Sequence, residues 1–99
     1  MSIKYNIYIT QSAEEDIEQI WQYIAGDSQE RAAEFVVKIE EKMQTLRRFP
    51  RRCPIISESE YLGIEYRYIL IGDYRIIFRI EKQAVFLMRV VHGARLFKL

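Results

Sequence analysis

The stretch from Tyr66 to Arg95 does most to limit what this chain can become. It reads Tyr66-Arg67-Tyr68-Ile69-Leu70-Ile71, then Gly72-Asp73, then Tyr74-Arg75-Ile76-Ile77-Phe78-Arg79-Ile80. A polar break at Glu81-Lys82-Gln83 leads into Ala84-Val85-Phe86-Leu87-Met88-Arg89-Val90-Val91, closed by His92-Gly93-Ala94-Arg95. β-branched and aromatic runs bounded by turn residues read as strands, and Gly-Asp between two such runs is a two-residue hairpin signal. The spacing predicts a three-stranded antiparallel meander with arginines set among apolar neighbours.

Successive side chains of a strand point to opposite faces, so Arg75, Ile77 and Arg79 share one face of the middle strand. Tyr74, Ile76, Phe78 and Ile80 share the other, which is wholly apolar and is expected to face the core. In the last strand Phe86, Met88, Val90 and His92 look more core-like than Val85, Leu87, Arg89 and Val91, although both sets are apolar enough to leave the register open. If the faces align, Arg75, Arg79 and Arg89 stand on one side of the sheet, with Arg67 beside them. Planar guanidinium forks suit phosphate or carboxylate partners. The plainer alternative is that they are solvated or pair with Glu65, Asp73 and Glu81.

Ahead of the meander, Tyr5 to Thr10 alternates like a short strand. Ser12-Ala13-Glu14-Glu15 fits a capping box, with Ser12 as N-cap and Glu15 reaching back. Ala13, Ile17, Ile20 and Ile24 then form a helical stripe. Glu14, Glu15 and Asp16 suit the positive end of the helix dipole, and Gly26 is a natural stop. A second helix starts at Asp27 or Ser28, with a stripe of Ala32, Phe35, Val36, Ile39, Met43 and Leu46. So short a connection implies an antiparallel αα-hairpin. Pro50 ends the second helix, because the residue before a proline avoids the helical region. The fold class is therefore α+β: an N-terminal strand, an αα-hairpin, and a meander completing one small sheet, in a single domain over 1–99.

The 99 residues are 49% apolar and 29% charged, ordinary for a globular domain. No apolar run approaches the roughly 20 residues of a membrane span, and Met1 to Asn6 lacks the features of a signal peptide. One cysteine, Cys53, makes no internal disulfide, and with one histidine there is no zinc constellation. A cytoplasmic protein without metal or cofactor is expected. A Cys53–His92 nucleophile pair is formally possible, but Cys53 between Arg52 and Pro54 reads as a loop residue.

The net charge of +1 hides an asymmetry. Residues 1–46 carry four basic against nine acidic residues, a net −5, while residues 47–99 carry eleven against five, a net +6. A basic half points to an electrostatic partner, either nucleic acid or an acidic protein segment. Its densest part, Arg47-Arg48-Phe49-Pro50-Arg51-Arg52, has two readings. Arg47 and Arg48 complement a helix C-terminus, or the run is a phosphate- or acid-binding corner.

Four pieces in this order resemble the ParE/RelE superfamily of bacterial toxins across essentially the whole chain. They are Tyr23-Ile24-Ala25, Leu46-Arg47-Arg48-Phe49-Pro50, Asp73-Tyr74-Arg75-Ile76-Ile77-Phe78, and Arg89-Val90-Val91-His92-Gly93-Ala94-Arg95. The resemblance implies the toxin of a type II toxin–antitoxin pair, held in a hetero-oligomer by a ParD-like or related antitoxin. RelE-like members cleave mRNA on the ribosome. Here Arg75 and Arg95 match their arginines and His92 could serve as acid or base. No lysine falls among Tyr66, Arg67, Tyr68 and Ile69, and no tyrosine follows Arg95. ParE-like members instead trap DNA gyrase on cleaved DNA, and His92-Gly93-Ala94-Arg95 looks more like theirs. The expectation is a gyrase poison with no catalytic centre of its own. Arg67, Arg75, Arg79, Arg89, His92 and Arg95 are then target- or antitoxin-binding, with neither membrane association nor sequence-specific DNA binding by this chain alone. The alternative is a ribosome-dependent endoribonuclease with Arg75, His92 and Arg95 as its catalytic residues.

Overall fold

The structure, a computed structural model, describes residues 4–93 and 95. A short strand β1 (Asn6–Ile9) leads into helix α1 (Gln11–Asp27) and helix α2 (Gln29–Arg48). A 3-10 turn (Pro50–Arg52) and a one-turn helix α3 (Ser59–Leu62) precede the strands β2 (Arg67–Ile71), β3 (Tyr74–Glu81) and β4 (Ala84–His92). β2, β3 and β4 form the expected antiparallel meander, with Gly72 at φ +56° in the first hairpin. β1 adds to it in parallel beside β4, giving the order β1-β4-β3-β2.

The helices cover one face of this sheet. Ala13, Phe35, Ile39 and Leu46 from α1 and α2 meet Ile71, Ile76, Phe78, Val85, Leu87 and Val90, with Ile17, Ile20, Ile24 and Met43 packed against them. The apolar stripes are thus where the periodicity put them, except that Val36 stays 37% exposed and lies outside the core. The other face is also covered, over part of its area, by the segment between α2 and β2. There Ile56, Tyr66, Ile77 and Val91 make a second, smaller core, with Leu62, Tyr68 and Met88 at its margin. Ile77 therefore sits between two arginines on a buried face rather than a solvated one.

Two features of the strands depart from simple alternation. Ile77 pairs with Arg89 and Phe78 with Leu87, which leaves Met88 as an extra residue in β4. This bulge changes the parity of the strand. Val85 and Leu87 face the helices before it and Val90 after it, so the expected set of Phe86, Met88, Val90 and His92 is not the core set.

The helix boundaries also move. Thr10, not Ser12, is the N-cap of α1, accepting the Ala13 N–H at 3.2 Å. Thr10 wins because its hydroxyl also lies 2.8 Å from the Leu87 carbonyl oxygen and its N–H donates to the same oxygen at 3.1 Å, tying the helix start to β4. Gly26 lies inside α1 and stops nothing. Ser28 joins the helices alone: its N–H donates to Ile24 O at 2.7 Å, closing α1, and its Oγ accepts the Arg31 N–H at 3.2 Å, opening α2.

Candidate functional site

A groove of about 920 Å³ runs between α1, the end of β4 and the β2–β3 hairpin. Ile20, Ile24 and Val90 give it apolar lining, and Tyr23, 74% exposed, stands over it. Asp16 and Asp27 supply negative charge, and Arg31, Arg89 and Arg95 positive charge. The arrangement follows from local structure. Asp16, Ile20, Tyr23 and Ile24 recur at helical spacing on one side of α1, and β4 carries Arg89 and His92 past the point where β1 stops pairing with it.

Beyond that point side chains complete the edge of β4. Asp16 accepts from Arg89 Nε at 2.7 Å and Nη2 at 3.0 Å, a two-pronged ion pair, and also from the Val90 N–H at 2.9 Å. The hydrogen bond from Asp16 pushes the Arg89 pKa up, against the opposing effect of burial, so this guanidinium is charged at any working pH. The His92 ring meets Tyr74 edge-on, with centroids 5.6 Å apart. Past His92 the backbone turns, with Arg95 N–H donating to His92 O at 2.8 Å and Gly93 N–H to Asp73 O at 2.7 Å. A Cβ on Gly93 would stand 3.1 Å from that same Asp73 oxygen. The glycine of the His-Gly-x-Arg ending thus serves close approach to the hairpin.

The six arginine and histidine candidates do not form one cluster. Arg89, His92 and Arg95 line the groove. Arg75 is on the other face, with its side chain 13% exposed, and its Nη2 donates to Glu58 Oε2 at 3.1 Å and to Arg95 O at 2.6 Å. Arg67 clamps the loop before β2: Nη1 donates to Cys53 O at 2.6 Å and Arg51 O at 3.2 Å, and Nη2 to Glu65 at 2.9 Å. Arg79 pairs with Glu81 at 3.0 Å and lies over the Phe86 ring, which stacks in turn on Tyr8. The pairings of Arg67 with Glu65 and Arg79 with Glu81 are those the plainer sequence reading anticipated.

Two acids that matter here escaped the sequence. Its place in the first turn marks Asp16 only as complementing the helix dipole, yet it falls three residues after Ala13 and four before Ile20, on the edge of the buried stripe. An acid in that position needs a partner, and this was the available signal. Glu58, whose side chain is 3% exposed, lies in an irregular segment that offered none. Cys53 has its pKa raised by burial, with Arg67 and Lys42 pulling the other way, so its thiol is held neutral. Among the described residues no group of three metal-binding side chains comes together, and no helix is long and apolar enough to cross a membrane.

A family model described as the ParE toxin of the type II toxin–antitoxin system parDE matches residues 7–97. Among solved structures, one titled as a chromosomal ParDE TA system from P. aeruginosa superposes with a TM-score of 0.70. That match covers 92% of this chain and 98% of the other at 20% identity, so it speaks for the fold alone. None of the curated proteins matches the sequence.

Proposed function

We infer the function from one premise: this chain belongs to the ParE toxin family of type II toxin–antitoxin systems. Its activity, in this reading, is to bind DNA gyrase in the cytoplasm and hold it on cleaved DNA. A ParD-type antitoxin neutralises it by laying an amphipathic, acidic segment in the groove beside β4. The apolar lining of Ile20, Ile24 and Val90 would take the buried face of such a segment, and Arg31, Arg89 and Arg95 its carboxylates.

The observation that carries the choice of a gyrase poison over a ribonuclease is the state of Arg75. Phosphoryl transfer needs a guanidinium free to meet the developing charge. That of Arg75 is enclosed by Glu58 and the Arg95 carbonyl, on the opposite side of the sheet from the helices. Its engagement supports a structural role, and the pairings of Arg67 and Arg79 support the same for them. Arg89, His92 and Arg95, which line the groove, are the proposed contact residues, Arg89 through Nη1 because Asp16 takes its Nε and Nη2.

The test is a supercoiling assay on purified, antitoxin-free protein, scored for both inhibition and accumulated double-strand breaks. Inhibition with trapped breaks, weakened in a graded manner by Arg95→Ala and His92→Ala, is the expected result. Folded protein that leaves gyrase untouched but cleaves mRNA on ribosomes would overturn the proposal.

A further inference from the structure

The corner where α2 ends remains outside this account. Arg47 and Arg48 form the last turn of α2, and Arg51 and Arg52 lie in the 3-10 turn that follows. All four are exposed, and among the described residues none makes an ion pair. The fold holds them in place. Arg52 lies over the Phe49 ring, its guanidinium carbon 4.1 Å from the centroid. Arg51 Nε donates to the Tyr5 hydroxyl at 3.3 Å, and the Arg47 carbonyl accepts the Tyr5 N–H at 2.8 Å, bringing Lys4 to the same corner. Arg67 is anchored from beneath through the Arg51 and Cys53 carbonyls, and its partner Glu65 is the only acid ion-paired there among the described residues. Glu40 and Glu41 sit more than a turn back along α2.

A helix C-terminus accounts for Arg47 and Arg48 but leaves Arg51 and Arg52 without a role. Like charges packed at one corner repel, and a surface that concentrates them without internal acids is built for an external anion. The shape decides which kind. Phe49 is 44% exposed but carries Arg52 over its ring, Pro50 is buried, and none of the corner's residues lines the groove beside β4. Exposed forked cations at close sequence spacing suit a regularly spaced phosphate backbone.

We propose that Arg47, Arg48, Arg51 and Arg52 bind the phosphate backbone of duplex DNA without reading its sequence. The duplex is the segment that gyrase holds cleaved, so the proposal rests on the gyrase reading and adds to it a direct toxin–DNA contact.

The experiment measures binding of antitoxin-free protein to a labelled duplex of arbitrary sequence by fluorescence anisotropy. Four phosphate contacts predict an affinity loss of roughly 10²-fold between 50 and 200 mM salt, the same for a scrambled duplex. Replacing the four arginines by glutamine should flatten the salt dependence while leaving the circular dichroism spectrum unchanged. If that variant does not fold, Arg47→Gln/Arg48→Gln and Arg51→Gln/Arg52→Gln should each remove about half of the slope. No binding by the wild type at 50 mM salt, an unchanged slope in the variants, or tighter binding to a polyglutamate peptide than to the duplex would each overturn the proposal. The gyrase assay separates the two readings. Duplex binding without gyrase inhibition would sink the target and spare this site, and gyrase inhibition without duplex binding would do the reverse.

Discussion

Arg75 and Glu58 show how much a single residue's environment decides about its role. A guanidinium and a carboxylate taken out of water together are tolerable, while one left behind alone is expensive. Arg75 also holds the Arg95 carbonyl, so it joins the segment before β2 to the segment after β4. Arg75→Ala is therefore expected to destabilise the protein by about 3–5 kcal/mol, by removing the ion-pair partner of the buried Glu58 and releasing both segments. The corresponding drop in melting temperature, more than 10 °C for a domain this small, is readable by differential scanning calorimetry. A catalytic arginine would behave differently, with activity lost and the melting temperature kept. Sequence reasoning had no access to this distinction. Arg75 looks the same in both roles until Glu58, seventeen residues earlier in an irregular segment, is seen beneath it.

At the scale of elements, most of the architecture was legible because the apolar periods are clean. Ala13, Ile17, Ile20 and Ile24 can lie only on one side of a helix, and Tyr74, Ile76, Phe78 and Ile80 only on one side of a strand. What escaped was set by partners distant in sequence. Thr10 displaces Ser12 as the cap because of carbonyls in β4, and the extra residue at Met88 shows no local signal. Of the three arginines expected together, Arg75 and Arg89 are drawn apart for the same reason, by Glu58 and Asp16, acids whose positions only the tertiary fold reveals, while Arg79 pairs with its sequence neighbour Glu81. Ser28 is the element-level weak point, since one residue both closes α1 and opens α2. Ser28→Ala keeps its N–H but loses the cap on Arg31, at a cost of about 1 kcal/mol. Thermal denaturation should record this as a fall of about 4–8 °C.

For the molecule as a whole, one four-stranded sheet separates two cores, and β3 contributes to both through adjacent residues, Ile76 and Phe78 on one side and Ile77 on the other. Neighbouring residues of one strand cannot unfold independently. Ile56→Ala, which hollows only the smaller core, is expected to lower stability by about 2–4 kcal/mol. It should still give a single transition whose calorimetric and van't Hoff enthalpies agree. Two separable transitions would show that the segment between α2 and β2 is an appendage rather than part of the fold.

The parallel pairing of β1 with β4 has a consequence in time. Among the described residues β1 pairs with β4 alone, so Asn6 to Ile9 must wait for Ala84 to Leu87 before they are fixed. Thr10 and Asp16 wait as well, because the oxygens and nitrogens they bind belong to residues 87 to 90. During synthesis the helices emerge without the ties that Thr10 and Asp16 make to β4, and the groove beside β4 does not exist until nearly all of the described chain has been made. A groove built from residues 16 to 31 and 73 to 95 is absent for as long as the chain between them is being translated. With the groove as the proposed antitoxin site, an antitoxin already present would meet it at the moment it is completed.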